Sequence, residues 1–175
     1  MRTRNRSVTI KSPLYEVILD SKGAVATSWV ILKNQSSKSE YPVFADGSDA
    51  SNKKPLQLIS PRSLEQSPRE VPFRLLTKDA SLTTIANERN YQVSVAEQEI
   101  TLNGSEERSI DFSLVGDNGV EIKKSFVFRA DSYVADLAIT AKQNGQPIPE
   151  TKLAIGASIG DHAINYHTFY HTESE

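Results

Sequence analysis

The 175-residue chain contains no cysteine. Disulfides, zinc–thiolate centres and thiol nucleophiles are therefore excluded outright. The compartment stays open, because periplasmic and cytosolic domains alike can do without Cys. Charge of one sign is not in excess either: 20 Lys and Arg stand against 22 Asp and Glu. That near balance argues against a dedicated nucleic-acid binder, which would carry a strongly basic face. No apolar run approaches the roughly 18 residues that a membrane-spanning helix needs. The start, MRTRNRSVTI, is basic like a signal-peptide n-region but lacks the apolar h-region that should follow. The sequence thus reads as soluble as it stands, or as the soluble piece of something larger. Helical periodicity is scarce, with room for one short helix between Ser81 and Asn90. There is no fixed-period repeat and no heptad pattern.

What the chain has in abundance is period-two alternation. Tyr15, Val17 and Leu19 share one strand face, and Val25, Thr27, Trp29 and Ile31 are expected to do so in the next segment. Tyr91, Val93 and Val95 alternate with Gln92 and Ser94; Ile110, Phe112 and Leu114 alternate with Asp111 and Ser113. Ile122, Phe126 and Phe128 alternate with Lys123 and Ser125, and Tyr133, Leu137 and Ile139 with Asp136 and Thr140. Residues two apart on a strand point the same way, so each segment has one wet and one dry face. Between the runs stand Lys22-Gly23, Asn103-Gly104, Asp117-Asn118-Gly119 and Asn144-Gly145, residues that tolerate the positive φ of tight turns. The pattern predicts an all-β antiparallel sandwich. Length is a soft prior for one domain over 1–175, with enough chain for a substantial core. The rhythm breaks between Gln35 and Pro72, rich in Ser, Lys and Pro, which reads as one long surface loop. Within it, Pro55 to Ile59 looks like a short strand.

Candidate chemistry is thin. Gly156-Ala157-Ser158-Ile159-Gly160 matches the G-x-S-x-G of a nucleophile elbow, but that elbow needs a strand feeding a helix and a histidine and acid further on. Here the context is all-β, and Asp161 is too close to Ser158 to orient a remote base. A glycine-flanked strand end is the simpler reading. All three histidines, His162, His167 and His171, sit late in the chain. His167 and His171 can share a face at i, i+4, yet no HExxH pattern or carboxylate cluster supports a metal site. Glu106-Glu107 reads as a solvated turn. The sequons at Asn34 and Asn103 matter only for a eukaryotic secreted chain. In Lys123-Lys124 one side chain is expected to face solvent and the other to lie near a sheet edge or end. No catalytic, cofactor-binding or metal residue is assigned, no partner-binding surface is identified, and no cofactor is expected. Trp29, the only Trp, is expected in the core, where a large aromatic on an apolar strand face usually belongs.

The stretch around Trp29 also carries a resemblance. Ser21-Lys22-Gly23-Ala24, Ser28-Trp29 and Leu32-Lys33 resemble the "S-x-x-G-A … S-W-x-L-K" signature of the large periplasmic domain of YidC-type membrane protein insertases, of the YidC/Oxa/Alb family. Lys54 to Ile59 is similar to that domain's "plqL" strand. Lys123 to Phe128 with Asp131-Ser132-Tyr133 looks like its "K-x-[YF]-x-F … D-S-Y" stretch, and Gly156 to Asp161 resembles a glycine-containing segment further on.

The resemblance implies a β-super-sandwich similar to galactose mutarotases, on the periplasmic side of a bacterial inner-membrane protein that inserts and helps fold membrane proteins. It implies Sec translocon components and nascent membrane proteins as partners, and a transmembrane insertase core that lies outside this chain. It implies no enzyme. The family's sandwich commonly continues through further strands, so this chain is either a short version or a truncated one; uncovered edges would invite association. The alternative reading is a carbohydrate-binding or aldose-epimerase-like domain of mutarotase fold. That reading requires Trp29 to face a polar cleft, and no acid–base pair of the mutarotase kind aligns with this sequence.

Overall fold

A computed structural model describes residues 4–35, 40–116 and 118–156. In chain order the strands begin with β1 (Ser7–Lys11), β2 (Tyr15–Asp20), β3 (Val25–Ile31), β4 (Lys33–Gln35), β5 (Glu40–Pro42) and β6 (Leu56–Gln57). Helix α1 (Pro61–Glu65), β7 (Arg74–Leu76), helix α2 (Ala80–Glu88), β8 (Gln92–Val93) and β9 (Glu99–Thr101) follow. The last group is β10 (Glu107–Val115), β11 (Val120–Arg129), β12 (Asp136–Gln143), β13 (Gln146–Pro147) and β14 (Lys152–Ala154).

Two five-stranded sheets, ordered β6-β3-β2-β1-β9 and β13-β12-β11-β10-β8, enclose a common core. The protein is an all-β sandwich. Its longest hairpin, β10–β11, pairs from Glu107↔Arg129 to Val115↔Glu121. Strict alternation along it buries Ile110 and Phe112 on one strand and Ile122, Phe126 and Phe128 on the other. The opposing sheet contributes Val8, Ile10, Tyr15, Val17 and Leu19. Burial of these side chains, each contributing roughly 1.5–3 kcal/mol, is what holds the layers together. Aromatic rings interlock across the interface, with Phe128 6.3 Å from Tyr15 and 6.1 Å from Trp29.

Two sequence expectations are corrected here. Pairing of β2 with β3 runs Ile18↔Ser28 and then Leu19↔Ala26, leaving Thr27 unpaired as a bulge. One extra residue reverses the alternation on its far side. Ala26, and not Val25 or Thr27, therefore shares a face with Trp29 and Ile31; Val25 sits opposite Asp20 on the other face. The sheets are also not wholly antiparallel, since β9 adds to β1 in parallel, with Ile10↔Ile100. The Arg6 guanidinium secures that crossover by donating to the carbonyls of Val95, Ala96 and Glu97 at 2.7, 3.0 and 2.8 Å.

The stretch after β4 carries β5, β6 and α1, and Leu56–Gln57 pairs with Ile31 and Val30 within the run expected as a strand. Helix α2 falls where the short helix was expected. Asp79 caps it, its carboxylate accepting from the Ser81 and Leu82 amides at 2.7 and 3.2 Å. The helix buries Leu82, Ala86 and Asn87. The Asn87 side chain clamps β7, accepting from Leu75 N at 3.0 Å and donating to Leu75 O at 2.7 Å.

Candidate functional site

The alternation of β11 places Lys124 on the inward face, between Ile122 and Phe126. Its neighbours across the sheet are Phe112 on β10 and Ile139 on β12. It is fully buried, at 0 % exposure. The expectation that one lysine of the Lys123-Lys124 pair lies at a sheet edge or end is thus corrected: Lys124 stands mid-strand in the core. Lys123 faces outward and pairs with Asp111 at 2.7 Å.

A lysine enters such a core only if its nitrogen finds partners. Lys124 Nζ donates to the carbonyls of Gly23 at 2.7 Å, Ala24 at 3.2 Å and Phe73 at 2.6 Å. It also lies 5.6 Å from the centre of the Tyr91 ring, within cation–π range. Burial lowers its pKa to about 7.

The three acceptors share an uncommon property. Gly23, Ala24 and Phe73 have φ of 80°, 48° and 75°, the left-handed region that side chains other than glycine rarely adopt. At Gly23 the requirement is double, because a Cβ there would lie 2.6 Å from Asn87 O. The turn is anchored from below by α2: Gly23 N donates to Arg89 O and Tyr91 N to Ser21 O, each at 2.9 Å. Two stretches 100 residues apart, around Gly23 and around Lys124, thus meet at one nitrogen.

A buried amine of lowered pKa is chemically a candidate nucleophile or base. Here its nitrogen is engaged by three backbone oxygens, an arrangement that orders the backbone and offers no open position to a substrate. Sequence reasoning missed this site although the signal was present: Lys124 holds the parity of Ile122, Phe126 and Phe128.

The remaining candidates fall as follows. Trp29 is half-buried, packed against the core with its ring 6.3 Å from Tyr15 and 6.3 Å from Phe73. The expectation of a core position is thus met only in part: the ring packs against the core while some of it stays accessible at the surface. Glu106 closes its turn by accepting from Asn103 N at 2.7 Å, and Glu107 pairs with Arg129 at 2.8 Å. Of the G-x-S-x-G run only Gly156 is described; Ser158, Asp161 and the three histidines lie outside the described residues. Among the described residues no group of three His, Asp or Glu is placed to hold a metal, and no helix is long and apolar enough to cross a membrane.

Two apolar surfaces stand open among the described residues. One is a groove of about 380 Å³ between β12 and the β7–β14 ribbon, lined by Leu75, Ile139, Ala141, Ile148 and Leu153. Exposed Leu76 and Ile155 belong to the same ribbon and its continuation. The other involves Leu32, Tyr41 and Tyr133, all exposed. Here Tyr133 donates its hydroxyl to Lys33 O at 2.5 Å, and Asn34 donates to the Tyr41 hydroxyl at 2.7 Å.

These features define a β-sandwich module with a closed core and open apolar surfaces. Comparison with known families identifies it more closely: the model of the YidC periplasmic domain matches residues 7–154. The chain belongs to that family, which is non-catalytic and places it on the periplasmic side of a membrane protein. No curated protein matches the chain.

Proposed function

We propose that this chain is the partner-contacting periplasmic domain of a bacterial inner-membrane insertase, which inserts and helps fold membrane proteins alone or with the Sec translocon. The observation that carries the reading is the family match over residues 7–154. The site chemistry supports it. Among the described residues the one buried amine is committed to backbone oxygens, while Leu76, Leu153 and Ile155 present apolar area at the surface. Apolar surface of that kind is what polypeptide contacts use. The partners are Sec translocon components and nascent membrane proteins.

The test uses the full-length protein in cells depleted of their own insertase. Photoreactive residues at Leu153 and Tyr133 are expected to crosslink to translocon subunits or to a nascent membrane protein. Removing residues 7–154 is expected to abolish those products and to slow insertion of translocon-dependent reporters. Normal insertion after removal, with no crosslinks from either position, would overturn the reading.

A further inference from the structure

We propose that Lys124 is a protonation-dependent latch between the two sheets: its ammonium holds the Gly23, Ala24 and Phe73 carbonyls in place, and its neutral amine must release one of them.

The argument begins with a count. An ammonium has three N–H donors, and three carbonyl oxygens surround it at 2.6–3.2 Å. A neutral amine has two donors and a lone pair, so one oxygen would face electron density and lose its partner. The contact to Ala24 O, the longest at 3.2 Å, is the one expected to open. Each of the three carbonyls belongs to a residue with left-handed backbone. For Ala24 and Phe73, which are not glycine, such backbone is strained and persists only where surrounding contacts enforce it. At Ala24 and Phe73 the Lys124 nitrogen is one such contact on the carbonyl side, beside the amide bonds Ala24 N to Ser21 O at 3.3 Å and Phe73 N to Ala154 O at 2.8 Å.

The charges nearby do not override the latch. On its own strand Glu121 and Lys123 occupy the outer face, and the strands on either side present Phe112 and Ile139. In the β2–β3 turn, Asp20 is bonded to Arg69 at 2.8 Å and Lys22 to Glu88 at 2.7 Å. Beyond α2, Arg89 offers Gly23 its backbone carbonyl. Tyr91 donates its hydroxyl to Ala86 O at 2.9 Å, and burial raises its pKa, so it remains neutral. Beside Phe73 stands Arg74, another cation. Among the described residues no carboxylate is bonded to Nζ, so burial is left to draw proton release down towards neutrality while the carbonyls oppose it. The latch therefore opens on going from neutral to alkaline solution.

Its setting gives the release a readout. The held turn rests on the end of α2, and Phe73 leads into β7, whose Leu75 lines the open groove. Protonation is thereby tied to two surfaces that the nitrogen itself never reaches.

The test is an NMR titration of the 175-residue chain between about pH 6 and 10.5, spanning the lowered and the ordinary lysine range. The amides of Ala24, Val25 and Arg74 belong to the peptide units whose carbonyls Lys124 holds. Their 15N shifts are expected to move together, at the midpoint shown by the Lys124 Cε signal in selectively labelled protein, and to stay flat in Lys124→Met. Amides that stay still while Cε titrates, or that follow separate midpoints, would refute the latch. So would a Cε signal that does not titrate in this range. Should Lys124→Met fail to fold, the agreement of Cε and amide midpoints in the unmodified chain still decides the matter.

Discussion

Replacing Gly23 with alanine tests how much of the fold depends on the turn that Lys124 grips. Three costs arise together. Alanine at φ 80° pays about 1–2 kcal/mol for left-handed backbone. Its Cβ would stand 2.6 Å from Asn87 O, with Asn87 C and Cα at 3.2 and 3.3 Å. These are backbone atoms of α2, so either the turn or the helix must move, at about 1–3 kcal/mol. Movement of the turn also draws the Gly23 carbonyl from Lys124 Nζ, now at 2.7 Å, weakening a charged hydrogen bond worth about 1.5–3 kcal/mol. With that bond weakened by about half and not lost, the three costs together come to about 3–6 kcal/mol, a large share of the roughly 5–15 kcal/mol that holds a domain folded. Gly145→Ala is the control. Its φ is 78°, yet nothing lies within 4 Å of the added Cβ, so only the backbone term of about 1–2 kcal/mol applies. In urea, with an m-value of about 2 kcal/mol/M, Gly23→Ala should lower the midpoint by about 2 M and Gly145→Ala by less than about 1 M. Equal midpoints for the two variants would show that neither the α2 contact nor the lysine bond supports the turn, and the reasoning would fail.

Other expectations follow from the same contacts. Trp29→Ala should cost about 3 kcal/mol, the low end for a large aromatic because Trp29 is half-buried. Trp29 fluorescence in the unmodified chain should ignore added sugars, and a near-neutral substitution with a sugar-dependent signal would return the residue to a binding role. Asn87→Ala should cost about 2–4 kcal/mol in denaturant, because it strips Leu75 N and O of their partners; a loss under about 1 kcal/mol would count against the clamp. The stability contribution of Lys124 should depend on pH with a definite sign. With its folded pKa lowered to about 7, the native state gives up the proton before the unfolded chain does. Its burial penalty is therefore full below about pH 7 and fades as pH rises towards the unfolded lysine value near 10.5. Unfolding free energy measured across this range should rise relative to Lys124→Met, and parallel curves would contradict it.

Much of this fold was legible because β10 and β11 alternate without interruption and their turns are marked by glycine. Gly119, Gly104 and Gly145 all carry the positive φ expected of them. Trp29 was legible as a packing residue from its size and its place beside Ile31 on one strand face, though it lies at the margin of the core and not within it. The bulge at Thr27 was not, since one unpaired residue leaves no compositional trace and Val25 is as apolar as a core residue should be. The parallel docking of β9 on β1 was equally hidden, because it depends on contacts such as Arg6 with Val95 that link residues 89 apart. Lys124 carries its signal in the parity it shares with Ile122 and Phe126, yet its type points to the surface. A charged residue is rarely buried unpaired, and its partners are backbone oxygens, which no side-chain pattern reveals.

The parallel pairing of β1 with β9 also bears on how the chain is made. Strands β1, β2 and β3 emerge first and can pair with one another, but the outer edge of β1 has no neighbour until residues 99–101 arrive. From the completion of β3 at Ile31 until β9 arrives, some seventy residues at about 5–20 residues per second, an early three-stranded sheet shows a bare edge of amides and carbonyls. The apolar face of that sheet waits longer still, because β11, which supplies Phe126 and Phe128, ends at Arg129. The vulnerable period of this domain is therefore written into its topology: its first strands are among the last to be covered.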